Sequence, residues 1–143
     1  MRIFLFTLIF FTSSVVYAGT FSDHLARCLV KKTTVEDKEL LLKWVYAAMS
    51  AHPEVQDMSN ISVAKGAELN RKTGELFVDL IAIRCKQEAK EAFQYEGEDV
   101  FKSSFSVLGR VAMQGLMADK NVSAYMAGVS DSMDSKKLEK VFE

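Results

Sequence analysis

Residues 75–93, ELFVDLIAIRCKQEAKEAF, decide the fold. The first half of this stretch is apolar at nearly every position, and the second half continues with strong helix formers and no turn residue before Gly97. The short run LFVDLIAI is compatible with a buried strand as well as with a helix. The helix-forming second half favours a helix, and the almost fully apolar surface predicts a central helix packed on several sides.

Phe77, Ile81 and Cys85 form one row along this helix because they are spaced four residues apart. The row points Cys85 toward a first helix at residues 21–30, whose apolar side carries Cys28. These are the only two cysteines, and an even pair in an exported protein of this size predicts a disulfide. Closing so long a loop stabilises a fold by roughly 4 kcal/mol on the chain-entropy model.

A zinc site is the alternative use of the same cysteines. Two Cys and two His make a tetrahedral ligand set, and His24 lies four residues before Cys28, on the same helical face. Against zinc, no pair has the short spacing typical of such sites, and oxidised cysteines cannot bind a metal. We therefore predict the Cys28–Cys85 disulfide, no metal and no cofactor.

The remaining segments also follow helical spacing. Thr34 and Asp37 form a predicted capping box that starts a second helix, which extends to about Ser50. Weaker helical patterns follow at residues 63–74, 98–120 and 122–129, and residues 134–143, DSKKLEKVFE, resemble a helix that docks on the rest. Gly109 and Gly115 are expected to let a neighbour approach closely. No segment alternates with period two, so we predict one all-α domain of about five or six helices at residues 19–143.

Residues 1–18, MRIFLFTLIFFTSSVVYA, have the pattern of a signal peptide. Arg2 precedes an apolar run, and Val16 and Ala18 occupy the small-residue positions before a cut ahead of Gly19. A retained membrane anchor is the alternative, but a spanning helix needs roughly 20 apolar residues and this run is interrupted at Thr12. The sequence predicts cleavage, a periplasmic or secreted protein, and no membrane span after the signal.

The charge balance excludes one class of partner. Arg2 is the only charged residue before the predicted cut, so 17 of the 18 basic residues remain against 19 acidic ones. Nucleic-acid binding depends on basic residues massed against phosphate, and no such excess exists here. The 26% of charged and 49% of hydrophobic residues are typical of a globular protein.

Three polar residues are candidates for catalysis. His52 stands before Pro53, where it is interpreted as the end of the second helix, packed beside the core. Asp79 lies inside the apolar stretch and is expected to face a narrow solvent-exposed wedge, while Arg84 and Glu88 form a surface pair. Ser62 begins an S-x-x-K motif, SVAK, and KTG follows at residues 72–74, but their order and helical context do not fit penicillin-recognising serine enzymes.

The methionines suggest a further possibility. Met113, Met117, Met126 and Met133 lie in the last helices, and thioethers can bind copper(I) in an exported protein. Because the cluster is not dense, the favoured interpretation is that methionine fills irregular gaps in the core.

Three function classes remain open. The favoured hypothesis is a non-enzymatic module that binds another exported protein, as an inhibitor, an immunity-type protein or a chaperone does. The second is a carrier that encloses a lipid or another apolar ligand between its helices. The third is a small hydrolase built on residues such as His52, Asp79 or Ser62. An exposed apolar surface would favour the first, an enclosed apolar cavity the second, and converging polar groups the third.

Overall fold

The computed structural model describes residues 19–142 and folds them into seven α-helices, with no strand in that range. The helices are α1 (Thr20–Lys32), α2 (Val35–Ser50), α3 (Val63–Asp79), α4 (Lys86–Glu96), α5 (Asp99–Met117), α6 (Lys120–Asp131) and α7 (Ser135–Glu139). The all-α prediction is confirmed. The count exceeds five or six because the predicted central helix is two α-helices joined by a π turn. The predicted signal peptide, residues 1–18, lies outside the described residues.

The core forms where α1 packs against α4 and α5, with α2 packed against α3 at one side. Leu25 and Leu29 of α1 are fully buried, as is Leu80 of the π turn. Around them lies one continuous cluster of buried side chains, which also includes Leu41, Leu76, Ala89, Ala92, Val100 and Leu108. The side chain of Phe21 stacks on Tyr95 at the edge of this core, with ring centroids 4.5 Å apart.

The start of α2 is fixed as its sequence predicts. The hydroxyl of Thr34 accepts a hydrogen bond from the amide of Asp37 at 3.2 Å, and the Asp37 carboxylate accepts one from the amide of Thr34 at 2.9 Å. This reciprocal capping box satisfies two donors that a helix start leaves unpaired. The helix extends from Val35 to Ser50, and a 3₁₀ turn at Gln56–Met58 follows before α3.

A π turn at Leu80–Arg84 joins α3 to α4, and the amide of Cys85 donates to the carbonyl of Leu80, five residues earlier, at 2.9 Å. The inward positions along the two helices are Leu69, Thr73, Leu76, Leu80, Cys85, Ala89 and Ala92. Their spacing is three or four residues except at the π turn, where it is five. The extra residue places Cys85 inside.

The central helix is packed on one side, so the prediction of packing on several sides is wrong. Val78 is 64% exposed and Ile83 71% exposed. Five residues separate Leu80 from Cys85, and Ile83 falls within that widened turn, away from the inward row.

Cys28 and Cys85 form the predicted disulfide, with an S–S distance of 2.11 Å and a Cα–Cα distance of 5.9 Å. It joins α1 to the residue that precedes α4. Both cysteines are buried, and residues 19–142 contain no free thiol. The pair is bonded within the protein and supplies no thiolate for zinc.

The last two helices stand apart from the core. Helix α6 contacts α5, but neither α6 nor α7 has a buried residue. Tyr125 is 82% exposed, and Leu138, Val141 and Phe142 are also exposed. The prediction that the DSKKLEKVFE segment docks on the domain is therefore wrong, because Leu138 of α7 and Val141 and Phe142 beyond it face solvent instead of packing on the core.

Candidate functional site

His52 lies just beyond α2 and is exposed. Its amide donates to the carbonyl of Met49 at 3.0 Å, and its Nδ1 accepts a hydrogen bond from the amide of Glu54 at 3.2 Å. The predicted helix end is confirmed, but the predicted packing beside the core is wrong. Helix α2 ends before Ala51, so the His52 imidazole does not lie beside the core, where helical spacing from α2 would place it.

Asp79 is held by an arginine rather than facing a solvent wedge. Its carboxylate is about one-third exposed (33%) and accepts a hydrogen bond from Nε of Arg84 at 2.5 Å. Nη1 of the same arginine donates to the Asp37 carboxylate and to the carbonyl of Lys32 at 2.9 Å. Arg84 therefore links three elements, and the expected pair with Glu88 is replaced by this network. Burial raises the pKa of Asp37, but the hydrogen bonds from Arg84 and Thr34 lower it more.

The residues of the SVAK and KTG motifs have structural roles: Ser62 caps a helix, and Lys65 and Lys72 form surface ion pairs. The hydroxyl of Ser62 accepts a hydrogen bond from the amide of Lys65 and caps α3. The ammonium groups of Lys72 and Lys65 lie 2.6 and 3.0 Å from the carboxylate of Glu68, and lower its pKa to about 2. Ser62, His52 and Asp79 are thus each bound to groups close to them in the chain.

An apolar groove of about 300 Å³ opens between α2, α3 and α5. Its floor is aromatic: the rings of Phe77 and Phe105 lie 4.5 Å apart, and Trp44 meets Phe77 edge-on at 6.1 Å. The indole Nε1 of Trp44 donates to Oδ1 of Asn70 at 2.8 Å, which fixes the ring. The walls are formed by Leu41, Leu42, Val45, Leu108, Gly109, Ala112, Met113 and Leu116.

Gly109 leaves open space in the wall of this groove. A Cβ atom built on it would meet no atom within 4 Å outside its own helical backbone. A glycine in a helix interior costs about 1 kcal/mol relative to alanine, and no neighbour within the described chain uses the space it leaves. The prediction that Gly109 and Gly115 let a neighbour approach closely is therefore wrong for residues 19–142: no atom outside the helix's own backbone lies within 4 Å of a Cβ built on either glycine.

Apolar surface continues from the groove onto its margins. Leu42, Tyr46 and Met49 form an exposed row on α2, and Met113 and Met117 are exposed on α5. The helical spacing of this α2 row was the sign in the sequence of an exposed apolar surface. It gives α2 apolar residues on two faces, and only one of these faces packs against the core.

Methionine does not fill gaps in this core. Of the seven methionines, Met1 lies outside the described residues, and each of the other six is at least 46% exposed. The prediction of methionine as core filler is therefore wrong. Within residues 19–142, no grouping of three His, Cys, Asp or Glu side chains has an arrangement that could hold a metal ion.

The helices that border the groove carry mixed charges. Residues 40–50 of α2 contain Lys43, and residues 100–118 of α5 and its end contain Lys102 and Arg110. Lys43 pairs with Glu39 at 3.7 Å, and α3 carries Glu75 and Asp79 on either side of Phe77. The charges around the groove therefore favour neither sign of charge in a ligand.

The fold and the groove together define a small all-α protein with one disulfide and an open apolar surface site. Comparison with protein-family models, with curated proteins and with solved structures finds no match to this chain. None of the helices within residues 19–142 is both long and apolar enough to cross a bilayer. The disulfide fits a compartment outside the reducing cytosol.

Proposed function

We propose that this protein is an exported, non-enzymatic binding module whose groove holds an amphipathic helix of another exported protein. The observation that carries the proposal is the open apolar groove between α2, α3 and α5, with an aromatic floor and free space at Gly109. Binding an amphipathic helix by its apolar face in such a groove is a recurrent mode of peptide recognition.

Two features favour a helix as the occupant. Gly109 and Ala112 keep one wall low, which allows a partner backbone to approach closely. Met113 lines the groove, Met49 and Met117 are exposed one helical turn beyond the lining residues Val45 and Met113, and flexible thioether side chains adapt to the irregular side of a helix.

Export rests on the signal-peptide pattern of residues 1–18 and is supported by the disulfide. A Cys28–Cys85 bond is stable in an oxidising compartment such as the periplasm or the extracellular space. A partner from the same compartment is the simplest consequence.

The geometry supports the two alternatives less well. A lipid carrier needs an enclosed cavity, whereas this groove is open and its volume of about 300 Å³ is at the lower limit for ligand pockets. A hydrolase needs polar groups that converge, whereas Ser62, His52 and Asp79 are each engaged locally. Lipid binding is nevertheless one outcome that the following experiment distinguishes.

Site-specific photo-crosslinking in the source cells tests the proposal. A photoreactive amino acid replaces Leu42 in the groove wall or, as a control, Val78 on an exposed surface outside the groove. We expect Leu42 to capture a protein segment with apolar residues at helical spacing, and Val78 not to capture it. A lipid adduct at Leu42, or the same adducts at both positions, would contradict the proposal.

A matched pair of glycine substitutions tests whether the groove itself is occupied. Gly109→Leu fills the groove, whereas Gly115→Leu adds the same side chain to the same helix outside the groove lining. Neither new Cβ meets an atom within 4 Å, so both variants are expected to fold. G109L should abolish the Leu42 adduct and G115L should preserve it. Titration with a synthetic copy of the captured segment should shift the fluorescence of Trp44, the only tryptophan, in the unsubstituted protein and in G115L alone.

A further inference from the structure

The start of α1 is capped by a residue from the end of α4. The carboxylate of Glu96 accepts hydrogen bonds from the amide of Phe21 at 2.8 Å, from the amide of Ser22 at 3.0 Å, and from the hydroxyl of Ser22. These bonds satisfy amide donors that the first turn of a helix leaves unpaired. The N-cap residue, Gly19, has no side chain that could accept these hydrogen bonds. Glu96, which is 74 residues after Ser22 in the chain, accepts them instead.

Gly19 fits against this carboxylate because it lacks a side chain. A Cβ atom on Gly19 would overlap Oε1, Cδ and Oε2 of Glu96. The three hydrogen bonds to Phe21 and Ser22 hold the carboxylate in place, so it cannot move aside without uncapping α1. Gly19 is also the residue that directly follows the predicted signal-peptidase cut. Gly19 is therefore both the residue that cleavage would make the new N-terminus and the residue that packs against Glu96.

We propose that cleavage between Ala18 and Gly19 creates an ion pair between the new α-ammonium group of Gly19 and the carboxylate of Glu96. Signal peptidase hydrolyses the peptide bond with one water molecule, which leaves a carboxylate on Ala18 and an ammonium group on Gly19. The inference rests on the predicted signal peptide. It is independent of what the groove binds.

Two physical arguments support this pair. The nitrogen of Gly19 and a Cβ built on it are both bonded to the same Cα, so the carboxylate that would overlap the Cβ lies no more than about 4.5 Å from that nitrogen, and a small rotation of the freed terminus brings the two groups into ion-pair contact. An ammonium group beside a helix N-terminus is unfavourable because it faces the positive end of the helix dipole. The Glu96 carboxylate lies at that same end and offsets the repulsion.

Glu96 carries the negative charge that this ion pair requires. Partial burial raises the pKa of Glu96, but the hydrogen bonds from Ser22 and Phe21 lower it more, so the carboxylate is ionised at neutral pH. In the precursor, Gly19 contributes a neutral amide instead of an ammonium group, and the ion pair cannot form. Maturation therefore adds a stabilising contact that the precursor lacks.

A semisynthetic protein tests the pair directly. Cys28 allows native chemical ligation of a synthetic thioester of residues 19–27 to a chain that begins at Cys28, followed by oxidation of the disulfide. Four mature chains combine a free or an acetylated Gly19 nitrogen with Glu96 or E96Q. We expect acetylation to raise the unfolding equilibrium constant roughly two- to fivefold when Glu96 is present. In E96Q acetylation should not raise this constant and should lower it slightly, because it removes a positive charge from the helix N-terminus that no carboxylate offsets.

The control is E91Q on the same helix, because the Glu91 carboxylate accepts a hydrogen bond from Gln87, one turn away, and plays no part in capping α1. Acetylation should destabilise the E91Q chain as much as the unsubstituted one. If Glu96 acts only as a helix cap, acetylation will have the same effect with Glu96 and with E96Q, or none with either, and the proposal fails. N-terminal sequencing of the exported protein should give Gly19 as its first residue; a chain that begins at another residue would also refute the proposal.

Discussion

The guanidinium group of Arg84 binds the carboxylates of Asp37, at the start of α2, and Asp79, at the end of α3. The same group reaches the carbonyl of Lys32 at the end of α1. One side chain of the π turn therefore fixes the corner where three helices meet. The hydrogen bonds are charge-assisted, and the Asp37 side chain is only 14% exposed, which places them among the stronger polar contacts of the fold.

Arg84→Ala should lower the free energy of unfolding by roughly 1 to 3 kcal/mol, because two partly buried carboxylates lose a charged donor. Arg84→Lys should recover only part of this loss, since one ammonium group cannot match the fork of donors. Arg71→Ala is the control: Arg71 pairs with Glu75 on the surface, and its loss should cost no more than about 0.5 kcal/mol. Urea unfolding measures all three, and equal losses for R84A and R71A would contradict the structural role of Arg84.

Much of this fold is predictable from local sequence, and its π turn is not. The limits of α2 follow from Thr34, Asp37 and Pro53, because capping and proline act within a few residues. A regular 3.6-residue period, however, cannot show that one turn contains an extra residue. The change in phase after Leu80 depends on Cys85 reaching Cys28, which is a tertiary contact. The same change turns Arg84 toward Asp37.

The apolar groove could not be predicted from the sequence for a similar reason. Its floor residues Trp44, Phe77 and Phe105 follow core-like spacing and are indistinguishable in sequence from side chains that a neighbour covers. Whether a last helix covers them depends on the direction in which α6 leaves α5, and the sequence around Asp119 does not determine that direction. The exposed row Leu42, Tyr46 and Met49 was the available sign, because it gives α2 a second apolar face.

Alanine substitutions in the central helix should destabilise the protein on its buried face and have little effect on its exposed face. Leu80→Ala is expected to cost about 2 to 5 kcal/mol, because Leu80 is fully buried and its loss leaves a cavity. Val78→Ala and Ile83→Ala should each change the free energy of unfolding by no more than about 0.5 kcal/mol, since both residues are exposed. Comparable losses at all three positions would instead support a central helix packed on several sides.

Stability should decline in acid through Asp37 and Glu96. The pKa of each is lower in the folded protein than its ordinary value of 3.8 or 4.5, so each stabilises the fold at higher pH and loses that contribution as it becomes protonated. We expect the melting temperature to fall progressively below about pH 4.5. E96Q should be less stable than the unsubstituted protein at pH 7 and approach it near pH 2. A constant difference across this range would show that ionisation of Glu96 does not contribute.

Polar substitutions at Met113 and Met117 should weaken partner binding without lowering the stability of the protein. Met113 lines the groove, Met117 lies one helical turn farther along α5, and both are about half exposed, so making them polar should remove apolar contact with the proposed partner while changing little inside the protein. The double variant Met113→Gln, Met117→Gln is expected to weaken binding of the captured helix at least tenfold, as judged by Trp44 fluorescence, and to keep its melting temperature within a few degrees. Met58→Gln is the matched control, because Met58 is also exposed but belongs to the 3₁₀ turn outside the groove. If the M58Q protein loses affinity equally, the partner binds elsewhere, and if the double variant binds normally, the methionine margin is not part of the interface.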